Sequence, residues 1–409
     1  MVLRGGHLCD PVQGWDGPAD LYLRDGRVAA VLDAGASAPS GDWRVWDASG
    51  LLVVPGPIDT LCACPTGGDP WREDLDSLTT AAAAGGYTAL MVYTGSGDPD
   101  RIAALRDRSA GVRLHAVAAL RRDDGLADLG LLQRAGAVAV ADWPGPSVQP
   151  RLLRQALAYG AGVGLRLVAT AQDAELAGEG LAHEGPLGFA LGLRGIPACA
   201  EEVAVARAAA LQRATGGQLH LAALSTAGSL ALIGDAVSAG VGAHHLLLTD
   251  AALRGYDTAA KLSPPLRDEA DRASLVAAVR SGRLLLASDH RPTPPEEKDV
   301  TFEAAAWGAS AVETALAAAL EVLEPAAFVR ACSSGPASTF GLPGGTLAVG
   351  ALADVAVFAP RPWQVEPRRL RSRGCSTPLA GRWLTHRAVL TLVAGRVVHA
   401  AAELAFTEA

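Results

Sequence analysis

The apolar stretch LLVVPGPID (51–59), followed after a loop by EDLDSLTTAAAAGG (73–86), sets the pattern for most of the chain. The first segment has the length of a buried strand, and the second is Ala-rich and has the length of a helix. The same kinds of segment recur as TALMVYT (88–94) with PDRIAALRDRSA (99–110), VRLHAVAAL (112–120) with LADLGLLQRAG (126–136), AVAVAD (137–142) with QPRLLRQALAYGAG (149–162), VGLRLVAT (163–170), EEVAVARAAALQRATGG (201–217) with QLHLAAL (218–224), and RASLVAAVRSG (272–282) with RLLLASDH (283–290). Repeated strand–helix units indicate parallel strand pairing, and seven or eight of them favour an α/β fold of the (β/α)8 barrel type. We predict this barrel over residues 51–344.

The two ends of the chain have a different pattern, typical of short antiparallel strands. LYLRDGRVAAVL (21–32) alternates apolar and polar residues around Asp25-Gly26, which is a strong hairpin signal. GTLAVGALADVAVFAP (345–360) and AVLTLVAGRVVHA (388–400) have the same character. Because chain termini often lie close together, residues 1–50 and 345–409 are predicted to form one small composite β-sandwich domain.

Composition and charge exclude several classes of protein. Half of the 409 residues are hydrophobic, which is enough for a large core. The net charge of −8 gives no basic surface for nucleic acid, and no apolar run approaches the roughly 20 residues of a membrane helix. The segment MVLRGGHLCDP (1–11) lacks the apolar core of a signal peptide. We therefore expect a cytoplasmic protein whose six cysteines are reduced.

Motifs along the whole chain resemble those of one family. They are VPGPIDT (54–60), REDLDSLTTAAAAGGYTAL (72–90), HEGPLGFALGLRGIPACAEEVAVARAAAL (183–211), GGQLHLAALSTAGSLALI (216–233), HHLLLTD (244–250), KLSPPLRDEADR (261–272), SDHRPTPPEEK (288–298), GASAVETAL (308–316) and GALADVAVF (350–358). In order and spacing these stretches resemble the dihydroorotases of the amidohydrolase superfamily. The pair PPLR and DHxPxxxEEK is a narrow signature of that family.

The resemblance implies a barrel that holds one or two divalent metals, usually zinc. The family pattern places an HxH on the first strand, a bridging carboxylated Lys or Asp, two further single histidines, and an Asp on the last strand. An HxH on a strand points both imidazoles to the same side, into the barrel mouth. The metals lower the pKa of a bridging water to about 7 and polarise the amide carbonyl of the substrate. The last Asp takes the proton from that water.

This chain departs from the family pattern at most of the site positions. The histidine positions are occupied by Leu61, Ala63, Thr170 and Ala223, and the substrate-binding positions by Pro65, the segment 93–96 (YTGS) and Ser263. The second histidine of the family's DHAPH is Thr293. No lysine lies near 137–145, which excludes a bridging carboxylated Lys there. Asp142 lies in this segment, so a site with a bridging Asp stays open. Asp289 is the one retained residue of catalytic type, and we expect it to be vestigial. The pattern therefore predicts a chain with no metal and no cofactor.

The remaining cysteines and histidines near the strand ends are interpreted as structural. Cys62 and Cys64 alternate with Leu61 and Ala63, so they are expected to point toward the helical layer as buried thiols. His244 and His245 are adjacent, and their side chains should diverge. His220 and His290 are expected to pack in the core and to hold a loop, respectively.

The replaced site within a retained frame favours a catalytically inactive dihydroorotase homologue. A metal-free chain of this type associates with aspartate carbamoyltransferase in some bacteria, so the resemblance implies a structural subunit in a homo-oligomer or hetero-complex of pyrimidine biosynthesis. One alternative is an active cyclic-amide hydrolase with a non-standard ligand set drawn from Asp142, Asp289, His290 and either His244 or His245. A second alternative is a small-molecule-binding module that uses the barrel mouth. Metal analysis separates the first two hypotheses.

Overall fold

The chain forms a barrel of parallel strands and a second sheet built from strands of both chain ends. The computed structural model describes residues 1–64, 70–108, 111–122, 125–142 and 149–402, and the backbone of 406–407. The strands are β1 (Val2–Asp10), β2 (Trp15–Arg24), β3 (Arg27–Asp33), β4 (Val45–Asp47), β5 (Leu52–Pro55), β6 (Ile58–Ala63), β7 (Ala89–Tyr93), β8 (Arg113–Ala119), β9 (Arg121–Arg122), β10 (Gly125–Leu126), β11 (Ala139–Ala141), β12 (Arg166–Ala169), β13 (Ala182–His183), β14 (Gly195–Ile196), β15 (Leu219–Leu221), β16 (Val237–Gly242), β17 (Leu285–Ala287), β18 (Val355–Ala359), β19 (Trp363–Gln364), β20 (Trp383–Leu384), β21 (Arg387–Val393), β22 (Arg396–Ala400) and β23 (Phe406–Thr407).

Helices follow most of the barrel strands and cover them from outside. They are α1 (Leu75–Gly85), α2 (Pro99–Arg106), α3 (Leu129–Ala135), α4 (Pro150–Val163), α5 (Ala174–Ala177), α6 (Pro186–Ala190), α7 (Ala198–Thr215), α8 (Ala227–Leu232), α9 (Ala243–Leu247), α10 (Glu269–Arg280), α11 (Ala315–Leu320), α12 (Pro325–Val329) and α13 (Gly335–Phe340). Helix α7 shows why these segments are helical: Ala200, Ala204 and Ala208 recur every four residues and lie on its buried side. None of the helices in the described ranges has the length and apolar character that crossing a membrane requires.

The predicted barrel is confirmed by the order of its parallel strands. Neighbouring strands follow the order β6-β7-β8-β11-β12-β15-β16-β17. The last strand returns to the first, because the Ala63 N–H donates to the His290 carbonyl at 2.8 Å and Cys62 bridges His290 in parallel. The carboxyl ends of all eight strands therefore surround one mouth, which is where barrel enzymes carry their functional groups.

Side chains on the barrel strands alternate between an inner core and an outer core. Leu61, Met91 and Tyr93 belong to the inner cluster. Cys62 and Cys64 belong to the outer cluster, between strands and helices. Both thiols are reduced and buried, and the alternation of the strand had predicted this direction for them.

Helix α1 is fixed at both ends, and its start brings Glu73 next to His290, behind the barrel mouth. Asp74 is the N-cap: its carboxylate accepts from the Ser77 N–H at 2.8 Å, and Ser77 Oγ accepts from the Asp74 N–H at 3.1 Å. Gly86 ends the helix with a φ of 98°. Gly85 allows close packing, because a Cβ at that position would lie 2.2 Å from the Val312 carbonyl oxygen.

Strands from both chain ends join in a sheet that is separate from the barrel, and the sequence had predicted that the two ends come together. Its central order is β22-β21-β18-β5-β1-β2-β3, and β4 pairs with β1 and β23. The predicted hairpin turn has φ values of 53° at Asp25 and 75° at Gly26, and Ala394 and Gly395 form the equivalent turn between β21 and β22. Strand β5 lies in this sheet although it follows residue 50. The domain bounds 1–50 with 345–409, and 51–344, stay a prediction.

Candidate functional site

The positions at which the resemblance implies histidine ligands carry side chains that fill the barrel mouth. Leu61 is 2% exposed and Ala223 is 7% exposed, and both pack in the inner cluster of the barrel. Ala63 and Thr170 are half-buried. Leu and Ala have no lone pair to offer a metal, so at least three of these four positions cannot coordinate one.

Asp142, the one carboxylate at the bridging position, is bound by Thr170. The Thr170 backbone N–H donates to Asp142 Oδ1 at 2.8 Å, and the Thr170 hydroxyl donates to the same oxygen at 2.9 Å. These bonds tie the end of β11 to the end of β12. The two residues, both predicted at the mouth, are therefore hydrogen-bonded neighbours.

Asp289, the retained acidic residue, is in contact with an arginine and a histidine. Arg291 Nε lies 3.0 Å from Asp289 Oδ1, and His244 Nε2 lies 3.3 Å from Oδ2. The carboxylate is 3% exposed and the Arg291 side chain is 18% exposed. The φ of Asp289 is 52°, a left-handed conformation that Asp tolerates better than most residues. This turn immediately follows β17 and precedes Arg291.

The surroundings of Asp289 favour its ionised form. Burial alone would raise the pKa of Asp289, but the charge of Arg291 and the contact with His244 outweigh it and hold the pKa below its ordinary value. Burial lowers the pKa of His245 to about 3, so this ring is neutral. His245 Nε2 lies 3.0 Å from the Pro264 carbonyl oxygen and donates to it. The adjacent histidines have separate partners, but the centroids of their rings lie 5.1 Å apart, so the expectation that the side chains diverge is wrong.

His290 points away from Asp289 and into a buried network behind the mouth. Its Nδ1 accepts from the Ala311 N–H at 3.0 Å, and its Nε2 lies 3.4 Å from Glu73 Oε2. Glu73 also accepts from the Ser372 hydroxyl at 2.5 Å. His290 therefore joins the end of β17 to the start of α1 and to the segment around 372, which agrees with the loop-holding role expected for it.

Tyr93 is a buried member of the inner cluster, whereas the sequence had placed it only among the substrate-binding positions 93–96. Its hydroxyl donates to the Thr60 carbonyl at 3.0 Å. Burial raises the pKa of Tyr93 well above its ordinary value, and the nearby carboxylates Asp59, Asp142 and Asp289 raise it further, while Arg291 opposes them. Tyr93 thus lies within electrostatic reach of the acidic groups of the mouth and remains protonated.

The other predicted site residues make no described contact with Asp289 itself. The Thr293 hydroxyl donates to the Arg291 carbonyl at 3.0 Å, and Ser263 is half-buried. Pro65 lies outside the described residues. His220 contacts Ser238 Oγ through Nδ1 at 3.0 Å and packs edge-on against Phe340, in the barrel core.

The arrangement does not fit a divalent metal of the implied kind. Within the described parts of the chain, no three His, Cys, Asp or Glu side chains are grouped so that they could share a metal ion. The alternative ligand set is divided, since His290 faces Glu73 while His244 faces Asp289. Asp289 and His244 supply two donors, whereas catalytic zinc takes three protein ligands and water.

Sequence reasoning missed Arg291 as the partner of Asp289. Asp289 has a left-handed φ of 52° and lies beyond the end of β17, so strand alternation does not indicate which side chain it faces. His244 as the second partner had no local signal, because it comes from a different strand–helix unit.

Comparison with known proteins agrees with the motifs and the fold. A family model described as Dihydro-orotase-like matches residues 50–229, and one described as Amidohydrolase family matches residues 277–399. A dihydroorotase of Anaeromyxobacter dehalogenans (strain 2CP-C) is 39% identical over 98% of this chain and 98% of its own length. A dihydroorotase of Citrifermentans bemidjiense is 37% identical over 98% of this chain and 100% of its own length.

Solved structures of hydantoinases share the architecture. L-hydantoinase (dihydropyrimidinase) from Arthrobacter aurescens superimposes with a TM-score of 0.87 at 23% identity, over 99% of this chain and 97% of that one. D-hydantoinase (dihydropyrimidinase) from Thermus sp. superimposes with a TM-score of 0.83 at 21% identity, over 100% of this chain and 97% of that one. At this identity the likeness concerns the fold alone. The end-to-end identity to the curated relatives, with the barrel and its terminal sheet, shows that this chain belongs to the dihydroorotase family of the amidohydrolase superfamily.

Proposed function

We propose that this chain is a catalytically inactive dihydroorotase homologue that serves as a structural subunit together with aspartate carbamoyltransferase. The observation that carries the proposal is the state of Asp289: its carboxylate is engaged by Arg291 and His244 in a mouth packed by Leu61 and Tyr93. An Asp in this condition is not set up to receive a proton from a water molecule that attacks a substrate.

The chemistry of the ligand positions supports the same proposal. Ring opening of dihydroorotate by this family's route needs a strong nucleophile at neutral pH, which the metal centre of the family provides. Leu61 and Ala223 hold no donor atoms, and Asp142 accepts both of its described hydrogen bonds from Thr170. Positions without a metal-binding side chain therefore occur at the ends of more than one strand.

The frame of the barrel, in contrast, is well built. Asp59 accepts from the Ser288 N–H at 2.8 Å, and Lys298 Nζ donates to the Thr258 carbonyl at 2.9 Å. Gly85 makes its close approach to Val312. A chain whose fold is retained while its ligand positions are apolar is consistent with a role in assembly. The partner, aspartate carbamoyltransferase, comes from the resemblance and is part of the proposal.

The test uses the full chain purified from its own organism without chelators. Zinc is measured by mass spectrometry, dihydroorotate turnover is measured in both directions, and the proteins that co-elute at native size are identified. We expect far less than one zinc per chain, no turnover, and co-elution of aspartate carbamoyltransferase. Stoichiometric zinc with turnover would overturn the inactive assignment, and elution without the transcarbamoylase would overturn the assembly role.

One observation favours the alternative of an active enzyme: relatives about two-fifths identical over their whole length carry the name dihydroorotase. In that case a non-standard set drawn from Asp142, Asp289, His290, His244 and His245 would have to rearrange around a metal. Turnover that rises with added zinc and is abolished by Asp289→Asn would support this alternative.

A further inference from the structure

We propose that Arg291 is the resident cation of the barrel mouth, and that it excludes divalent metal from Asp289. The inference deepens the proposed function, because it names the residue by which a metal-free mouth stays organised. It rests on the proposed function only for its biological sense, since the property can be measured without a partner protein.

The geometry places the two charges in direct contact. Arg291 Nε is 3.0 Å from Asp289 Oδ1, while His244 Nε2 reaches the other oxygen at 3.3 Å. Both carboxylate oxygens are therefore engaged from within the protein. A guanidinium keeps its charge at any physiological pH, so it supplies permanently the positive charge that a buried carboxylate requires.

The backbone around Arg291 is built to hold it there. Its N–H donates to the Ala309 carbonyl at 2.8 Å, which joins the loop after β17 to the segment before α11. Gly308 adopts a φ of 113°, and a Cβ at Gly308 would lie 2.6 Å from Arg291 Cβ. The absence of a side chain at Gly308 thus leaves the space that Arg291 occupies.

The charges that face this pair explain why a second cation is unfavourable. Asp289 is the carboxylate in contact with Arg291, and Asp142 is engaged by Thr170 on the β11 side. A divalent ion bound to the Asp289 carboxylate would lie close to the Arg291 guanidinium, which contacts the same carboxylate, and the two positive charges would repel each other. The ion would gain His244 as the only further described donor in contact with Asp289, so it must displace Arg291 to bind.

The experiment titrates cobalt into metal-free protein and follows the visible absorption bands of protein-bound Co²⁺. Arg291→Gln keeps most of the volume and the hydrogen-bonding end of the side chain but removes the charge. Arg291→Lys is the matched control that keeps the charge. We expect Arg291→Gln to bind Co²⁺ at least tenfold more tightly than the wild type, with new absorption bands, and Arg291→Lys to resemble the wild type.

The double variant Arg291→Gln with Asp289→Asn identifies the site. It should lack the tighter Co²⁺ binding that Arg291→Gln alone shows, because the carboxylate ligand is removed. Equal Co²⁺ affinity in wild type and Arg291→Gln would overturn the proposal, and so would gained binding that survives Asp289→Asn. If Arg291→Gln does not fold, Arg291→Met is titrated instead, with the same two outcomes. A failure here leaves the wild-type zinc, turnover and co-elution results untouched, so the two proposals fail separately.

Discussion

Asp59 is a buried carboxylate at the base of the mouth whose ionisation is costly. It accepts from the backbone N–H groups of Ser288 at 2.8 Å and Leu61 at 3.3 Å, and from the Ser288 hydroxyl. Burial raises the pKa of Asp59 to about 6, and these hydrogen bonds only partly oppose the shift. At the scale of one residue, the fold therefore carries a penalty at neutral pH that it does not carry in acid.

Asp59→Asn should remove this penalty, because the amide resembles the protonated acid in shape and can donate to Ser288 Oγ. The folded chain takes up the proton near pH 6 and the unfolded chain only near 3.8, so this term lowers the wild-type free energy of unfolding as pH rises from 4 to 6. The stability of the variant relative to wild type should rise over that range by about 3 kcal/mol. Thermal unfolding from pH 4 to 7 measures it. A flat difference between Asp59→Asn and wild type over this range would contradict the prediction.

Gly242 leaves the space in which His244, His245 and Asp289 pack together. A Cβ at Gly242 would lie 3.1 Å from His245 Nδ1 and 3.2 Å from both His244 Nε2 and Asp289 Cβ. Gly242→Ala should lower the free energy of unfolding by about 1–3 kcal/mol through this overpacking. Gly162→Ala is the control, since nothing lies within 4 Å of its Cβ and Ala favours helix α4. Calorimetric midpoints should move in opposite directions for the two variants, and a shift of the same sign would refute the argument.

The buried carboxylate of Glu73 joins three elements: the end of β17, the start of α1 and the segment 371–373. Glu73 faces His290 and accepts from the Ser372 hydroxyl, and the Arg373 N–H donates to it at 3.4 Å. Burial alone would raise the pKa of Glu73, but His290 and Ser372 hold it below its ordinary value. Glu73 therefore helps to fasten the segment 371–373 over the barrel, together with Glu313, whose Oε2 accepts from the Arg371 and Ser372 N–H groups at 2.7 and 3.1 Å.

Glu73→Gln should loosen that segment, because the amide nitrogen cannot accept the hydrogen bonds that an oxygen accepts. The loss amounts to about 1–3 kcal/mol of local stability, so tryptic cleavage after Arg371 and Arg373 should become about tenfold faster. Glu296→Gln, at an exposed position, is the control and should leave the cleavage rate unchanged. Mass spectrometry of timed digests gives the rates. Equal rates for all three proteins would show that Glu73 does not fasten the segment.

The barrel and the terminal sheet are joined in the whole molecule by a bidentate ion pair. Arg113 Nε and Nη2 donate to the two Asp354 oxygens at 3.0 and 2.9 Å, and Asp354 is 5% exposed. The Ala394 N–H donates to the same carboxylate at 2.7 Å. Arg113 lies on β8 of the barrel, and Asp354 immediately precedes β18 of the terminal sheet.

Removing Asp354 should therefore weaken the whole molecule. Asp354→Ala leaves Arg113 partly buried without its partner and is expected to lower the free energy of unfolding by about 3–5 kcal/mol. The exposed ion pair of Arg108 and Asp76 provides the control, because Asp76→Ala should change little. Differential scanning calorimetry compares the two. A large loss for Asp76→Ala, or none for Asp354→Ala, would contradict this assignment.

Much of this architecture could be predicted from the sequence, and the missing parts have physical causes. The alternation of apolar strands and Ala-rich helices predicted the barrel, and strand alternation predicted the direction of Cys62. The pairing of Asp289 with Arg291 depends on the φ of 52° at Asp289, which no local pattern specifies. The burial of Tyr93 in the inner cluster depends on the shape left by Leu61 on another strand. Such contacts between distant units follow from packing, which a linear pattern does not contain.

The position of β18 between β5 and β21 has a consequence for how the protein is made. Strand β5 leaves the ribosome early, and its antiparallel neighbour β18 follows about 300 residues later. At ordinary translation rates that interval lasts about 15–60 s, during which one edge of β5 has no strand to pair with. An unpaired strand edge is a template for aggregation. The nascent chain therefore depends on protection of its N-terminal strands, and ribosome-associated chaperones should crosslink to β1–β5 until residue 359 has emerged.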